Sequence, residues 1–356
     1  MENLNFLVTW GKNKETAWSG TNYSIFKALQ KYYSVNDINV NGNRWINAFM
    51  RRVLRKDGMS IEYSWRKALR NKLQSVEGKV FQFSEVLFDN DNRETFLYVD
   101  NTVSYVNYMR KNIPDVYAVS GFQNSNVKIL EKRTKEQDEY IKNNCSGLFT
   151  MGQWLREWLI EQGFPANRIF AVGGGYNVDT KLIAPQLKAH NKILFVGKDF
   201  NRKGGYITYE AFKLLRNSGK DVELYVIGPS EDPIKDPVSG YHFIGQIPFN
   251  EEAIYYNMCD VFCLPSYFEA YGLVFVEALT FGLPCIGRNC YEMPYFINDG
   301  NTGLLLRNED PKELADLMLR ILCDENFAKN VAKNRSYYIE NYSWGAVAKR
   351  MAEIIK

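Results

Sequence analysis

Glu269 and Glu277 stand eight positions apart in the segment 265–277, Pro-Ser-Tyr-Phe-Glu-Ala-Tyr-Gly-Leu-Val-Phe-Val-Glu, the second of them inside an apolar run. The preceding Val261-Phe262-Cys263-Leu264 reads as a short buried strand, which puts Glu269 on a tight loop and predicts a helix over Ala270–Phe281. The first amides of a helix lack internal partners and its dipole makes that end positive, a seat for a phosphate or a polarised hydroxyl. At a rise of roughly 1.5 Å per residue the two carboxylates lie about 12 Å apart. That span suits the two ends of an elongated ligand such as a nucleotide-sugar. A glycosidase pair, roughly 5 to 9.5 Å apart across one bond, does not fit it. An amphipathic helix with a solvated Glu has the same spacing.

The surroundings decide between these readings. Glu269, Gly272 and Glu277 are followed by Ala278-Leu279 and Gly282-Leu283-Pro284, then by Asn298-Asp299-Gly300-Asn301-Thr302-Gly303-Leu304-Leu305. Upstream stand Ile193-Leu194-Phe195-Val196-Gly197-Lys198 and Lys203-Gly204. In this order the four segments resemble the family-4 retaining glycosyltransferases of GT-B architecture, over about the C-terminal half. The resemblance implies two Rossmann-like doubly wound α/β domains facing an interdomain cleft, and transfer from a nucleotide-sugar, UDP-linked, to a hydroxyl of a glycan or lipid-linked glycan, with retention of configuration and without a metal. No cofactor is implied, the nucleotide-sugar being a substrate.

Departure of a nucleotide leaves negative charge on the outer phosphate, and its neutralisation is the electrostatic work expected. Lys198 ends the first strand of the second half and Lys203 follows five residues later, so both can reach over the strand ends. The resemblance assigns both to the diphosphate, although Lys198 replaces the usual Arg and offers a point charge where a planar fork is common. A solvated basic loop, 198–203, is the alternative. By resemblance, Glu277 accepts hydrogen bonds from the ribose diol, a fit for an acceptor-only carboxylate. Glu269 holds hydroxyls of the transferred sugar, the amides of Ala270, Tyr271, Gly272 and Leu273 face sugar and phosphate, and the base lies near Gln246 and Ile247. Gly20 is similar to the family's first-domain glycine loop, or marks a plain turn. The family's histidine at the end of a first-domain strand is missing, since His190 and His242 both lie in the second half. Asp100, after Phe96-Leu97-Tyr98-Val99, stands at that place and is either a catalytic group that orients a hydroxyl or a turn residue.

The elements that must position these residues are legible in the second half. Strand-like runs at Lys192–Val196, Val222–Ile227, Val261–Leu264, Pro284–Gly287 and Gly303–Leu306 alternate with helical patterns at Gly205–Asn217, Glu251–Cys259, Tyr271–Phe281 and Pro311–Leu322. Such alternation indicates a doubly wound parallel sheet with ligands at the strand C-terminal ends. In the first half, strands are expected at Phe6–Val8, Val80–Phe83, Thr95–Val99, Val116–Val119 and Gly147–Met151, and helices at Thr21–Tyr33 and Trp154–Gln162. Domain boundaries follow: 1–184 plus 343–356 on the acceptor side, the last helix crossing back, and 185–342 for the donor, joined through Ile183-Ala184-Pro185-Gln186.

Length of 356 residues suits two domains. Net charge of +3 gives no case for nucleic acid, and no apolar run reaches the 18 or so residues of a membrane span. Met1–Asn5 lacks the basic start of a signal peptide, and six scattered cysteines with no Cys-x-x-Cys pair fit a reducing cytoplasm and no zinc site. Asp89-Asn90-Asp91 could hold a metal diphosphate in the other glycosyltransferase architecture, GT-A, but also has turn composition, which we prefer. From Arg51 to Lys79, nine basic residues against three acidic ones, interleaved with Phe49, Met50, Val53, Leu54, Trp65 and Leu69, suggest peripheral contact of 49–79 with anionic lipid on the inner face of a membrane. An exposed basic helix pair reads the same way. Other GT-B enzymes (a phosphorylase or an epimerase) and a non-catalytic nucleotide-binding module remain alternatives.

Overall fold

The computed structural model describes residues 1–10, 14–15, 17–18, 20–39, 69, 71–83, 93–184 and 191–356. Two compact units emerge. One comprises Met1–Tyr117, Phe122–Gly174 and Trp344–Lys356; the other, Ala118–Gly121 and Gly175–Ser343.

The first unit carries β1 (Asn3–Val8), β2 (Ser34–Asn39), β3 (Lys79–Phe83), β4 (Thr95–Val99), β5 (Gly147–Thr150) and β6 (Ile169–Ala171). They form an all-parallel sheet in the order β2-β1-β3-β4-β5-β6. Thr95–Val99 is buried along its whole length, as strands covered on both faces must be. Much of the high aromatic content sits in this core: Phe6 stacks on Phe81 at 5.5 Å, and Phe81 on Phe149 at 6.2 Å. The closing helix Trp344–Ile354 packs on the helix Thr21–Leu29. Arg350 Nε donates to the Val172 carbonyl at 2.7 Å, and Lys79 Nζ to that of Ile355 at 2.7 Å, which fastens the chain end to the sheet.

Val116–Val119, expected as a strand, is instead the end of a helix, Pro114–Val119. Proline is pre-organised for the first helical position, and this context overrides the β-branched run. Leu69, expected on a lipid-facing surface, is fully buried with Leu73 against Leu7, Ile38 and Val80. Residues 49–68 and 70 of that stretch, and Asp89-Asn90-Asp91, lie outside the described residues. Among the described residues no helix is long and apolar enough to cross a membrane.

The second unit carries β7 (Lys192–Val196), β8 (Glu223–Ile227), β9 (Tyr241–Gly245), β10 (Val261–Leu264), β11 (Cys285–Arg288) and β12 (Gly303–Leu306). All are parallel, in the order β12-β11-β10-β7-β8-β9. The chain runs outward from β7 to β9, then returns to the other side of β7 to lay down β10. The sheet therefore reverses direction between β7 and β10, and at such a point the strand C-terminal ends open a crevice. Residues 175–184, read from sequence as part of the first domain, group with this unit. Tyr176 donates its backbone N–H to the Tyr342 carbonyl at 3.0 Å and Ala184 donates to Asn257 Oδ1 at 2.9 Å.

Candidate active site

The loops that leave β7 and β10 meet at the reversal point. Gly204 has φ +74, and a Cβ there would lie 2.4 Å from the Pro265 carbonyl oxygen, so only glycine allows the loops to touch. Their backbones are also laced together. Tyr267 donates its N–H to the Arg202 carbonyl at 2.9 Å, and the Arg202 guanidinium donates to the Phe268 carbonyl at 2.8 Å.

This lacing brings Lys203 Nζ onto the Glu269 carboxylate, with side chains only 12% and 8% exposed. Ser266, itself fully buried, donates its hydroxyl to Glu269 Oε2 at 3.3 Å. Burial pulls the Lys203 ammonium below its ordinary pKa, and the adjacent Glu269 charge opposes that shift. The result is a preformed cation and carboxylate in a water-poor crevice, where charge interactions are strong.

The helix after this loop spans Leu273–Phe281, beginning three residues later than the expected Ala270. Gly272 is the reason. It precedes the helix in the left-handed region at φ +96, and a Cβ on it would meet Phe275 at 2.9 Å and Glu269 Cγ at 3.0 Å. The straight-helix span of about 12 Å between the carboxylates therefore does not apply. Tyr271 is buried, its ring edge-on to Phe296 at 5.0 Å, so only its backbone fits the expected role. Ala270 and Leu273 are half-buried at the helix mouth.

Glu277 lies on the buried side of this helix at 3% exposure. Its Oε1 accepts from the Asn177 backbone N–H at 2.9 Å and its Oε2 from the Tyr256 hydroxyl at 3.3 Å. Burial outweighs these donors and raises the Glu277 carboxyl to about 7. Glu252, one helical turn before Tyr256 on the helix Phe249–Met258, is raised to about 8 by burial and by the Glu277 charge, with Lys198 pulling the other way. Glu277, Glu252, Tyr256 and Lys198 thus form one electrostatic cluster. Sequence reasoning missed Glu252, Tyr256, Ser266 and Asn177. The first two share a helix face at a spacing of four, which is a faint signal; a backbone donor such as Asn177 leaves none.

Lys198 is exposed at the end of β7, Gln246 is exposed after β9 and Ile247 is half-buried beside it. Gly20 and Asp100 belong to the first unit. Gly20, at φ +84, caps the N-terminus of the helix Thr21–Leu29. Asp100 follows β4 and lines a cavity of about 480 Å³.

These parallel sheets and the crevice at the reversal point define a GT-B fold. A structure of sucrose-phosphate synthase from Thermosynechococcus elongatus superposes with a TM-score of 0.72 over 99% of this chain and 98% of that one, at 17% identity. A structure of Anabaena HepE in complex with UDP and glucose gives 0.68 over 99% of both chains, at 12% identity. Residues 180–355 match the family described as glycosyl transferases group 1, and the chain carries a domain of that family. Among curated relatives, the phosphatidyl-myo-inositol mannosyltransferase of Mycobacterium leprae is 25% identical over 219 residues, which is 58% of this chain and 58% of that protein. The chain thus spans less than two thirds of that relative's length, and less than two thirds of further curated relatives it matches.

Proposed function

We propose that this protein transfers a sugar from a UDP-sugar to a hydroxyl of a glycan or lipid-linked glycan, with retained configuration and without a metal ion. The observation that carries the reading is the buried Lys203–Glu269 pair at the reversal point of the second sheet. Lys203 neutralises charge on the departing diphosphate, and the amides opening the helix at Leu273 add donors to the same oxygens. Glu269 accepts hydroxyls of the transferred sugar. Glu277, once ionised, accepts from the ribose diol alongside its present donors, since each carboxylate oxygen has two lone pairs. The UDP complex of a protein with the same fold supports the choice of nucleotide. In the acceptor step the nucleophilic hydroxyl attacks the anomeric carbon, the bond to the UDP oxygen breaks, and the leaving phosphate takes the hydroxyl proton.

A thermal-shift panel of UDP- and GDP-sugars tests this, because a ligand that binds only the folded state raises its apparent stability. A shift with UDP-sugars, followed by transfer that persists in EDTA, is expected. Phosphorolysis without a nucleotide donor would identify a phosphorylase, and donor binding without hydrolysis or transfer would identify a binding module. Loss of activity in EDTA with rescue by manganese would contradict metal independence.

A further inference from the structure

A cavity of about 570 Å³ lies wholly within the second unit. Its volume falls in the range of roughly 300–1,000 Å³ typical of small-molecule sites. The short helix Met293–Phe296 and the loop that follows it into β12 make one wall, and the helix Arg335–Asn341 with Tyr342 makes the other. Phe296 closes the inner end. Its buried ring lies edge-on to Tyr342 at 5.9 Å, edge-on to Tyr271 at 5.0 Å and stacked on Phe275 at 6.1 Å. An aromatic layer thus stands between this cavity and the helix mouth at Leu273.

Four tyrosines line it. Tyr338 and Tyr342, four positions apart, lie near-parallel at 6.3 Å, and Tyr337 meets both edge-on at 5.8 and 6.2 Å. These contacts order the rings before any ligand arrives, which lowers the cost of binding. Tyr337 is 55% and Tyr295 44% exposed. Single exposed rings are ordinary; two at the rim of one cavity point to a ligand.

The polar members of the lining are Asn298, Asp299, Thr302 and Asn334. Asp299, the one charged group among the described lining residues, is already engaged. Its Oδ1 accepts from the Leu305 N–H at 3.0 Å and its Oδ2 from the Arg307 guanidinium at 2.6 Å. Thr302 Oγ1 accepts from the Asn298 N–H at 3.0 Å and is hydrogen-bonded to the Tyr338 hydroxyl. Asn334 gives one amide hydrogen to the Asn330 carbonyl at 2.9 Å. The lining still offers the exposed Asn298 amide, the Asn334 carbonyl oxygen and the Tyr337 hydroxyl, neutral groups that together donate and accept. An ionic ligand would find no unpaired counter-charge here, and a purely apolar one would leave these groups without partners. A pyranose satisfies both demands, because its C–H face is apolar and its hydroxyls ring the edge.

We infer that this cavity is a non-catalytic saccharide site, which takes a neutral pyranose unit behind the aromatic layer and apart from the donor crevice. Its purpose rests on the glycosyltransferase reading: a glycan tethered here keeps its other units near the enzyme at raised effective concentration. The binding itself can be tested without that reading. Saturation-transfer NMR and calorimetric titration of the full chain use maltotetraose, cellotetraose, mannotetraose and chitotetraose as neutral probes. Tetragalacturonate serves as the acidic probe and p-cresol as the apolar one. At least one neutral probe is expected to bind, with transfer strongest at its ring C–H protons, and saturating UDP should not displace it. Tyr337→Ala should weaken that probe about tenfold, while Tyr337→Phe, which keeps the ring, should retain most of the affinity. Asn298→Ala should weaken it about fivefold, the worth of one neutral hydrogen bond. UDP affinity should stay unchanged in all three variants.

Silence of all four neutral probes, displacement by UDP, equal binding of tetragalacturonate or p-cresol, or indifference to Tyr337→Ala would overturn the assignment. UDP binding without any saccharide response would remove this site and leave the donor reading standing. Saccharide binding without UDP binding would uphold the site and overturn the purpose given to it.

Discussion

Lys203 and Glu269, sixty-six residues apart, close a buried ion pair between the loops that leave two neighbouring strands of one sheet. Truncating one member of such a pair leaves the other charge buried without its counter-charge. Glu269→Ala and Lys203→Ala should each cost about 3 kcal/mol or more in denaturant unfolding. The double variant Lys203→Met/Glu269→Leu should be milder than the sum, since no lone charge remains. Glu269→Ala should also depress turnover more than UDP affinity, whereas Glu277→Ala should depress UDP affinity itself.

The Glu277 and Glu252 carboxyls give the stability a definite pH sign. Both are raised above the ordinary value of 4.5, to about 7 and about 8. Between those limits the folded chain holds protons that the unfolded chain has released, so stability falls as pH rises from about 4.5 to about 8. Acidification through that window restores it. Urea midpoints across the window should decline with pH, and Glu252→Gln should flatten the slope by an amount on the order of 3 kcal/mol over the range. Affinity for UDP should run the opposite way. It should rise with pH through about 7, because the ribose diol needs Glu277 ionised.

Gly272 offers a backbone test. Alanine there must adopt φ +96 with its Cβ 2.9 Å from Phe275 and 3.0 Å from Glu269. Gly272→Ala should lower stability by about 1–3 kcal/mol and reduce UDP affinity, because it displaces Glu269 and the helix mouth together. Unchanged thermal melting and unchanged affinity would mean that the loop geometry is not needed.

What was legible follows the local character of each signal. β7, β10 and the helix Gly205–Asn217 match the expected bounds because short apolar runs and a thirteen-residue helical stripe identify themselves. β9, Tyr241–Gly245, was not foreseen as a strand, since four of its five residues are only half-buried and no apolar run marks them. β2, Ser-Val-Asn-Asp-Ile-Asn, is a polar edge strand and equally silent. Glu269, Gly272 and Glu277 stood out through spacing and resemblance. The groups around them did not, because Asn177 reaches Glu277 across a hundred residues and Glu252 becomes special only when folding buries it beside Glu277. The start of the Leu273 helix was misplaced for a related reason: a glycine within an apolar pattern does not announce its left-handed φ.

The most direct test is a crystal structure of the complex with UDP. The expected result places the ribose hydroxyls within hydrogen-bond reach of the Glu277 carboxylate and the diphosphate against Lys203 and the amides of residues 270–273. A nucleotide bound elsewhere, with the Glu277 carboxylate making no contact to it, would contradict the assignment.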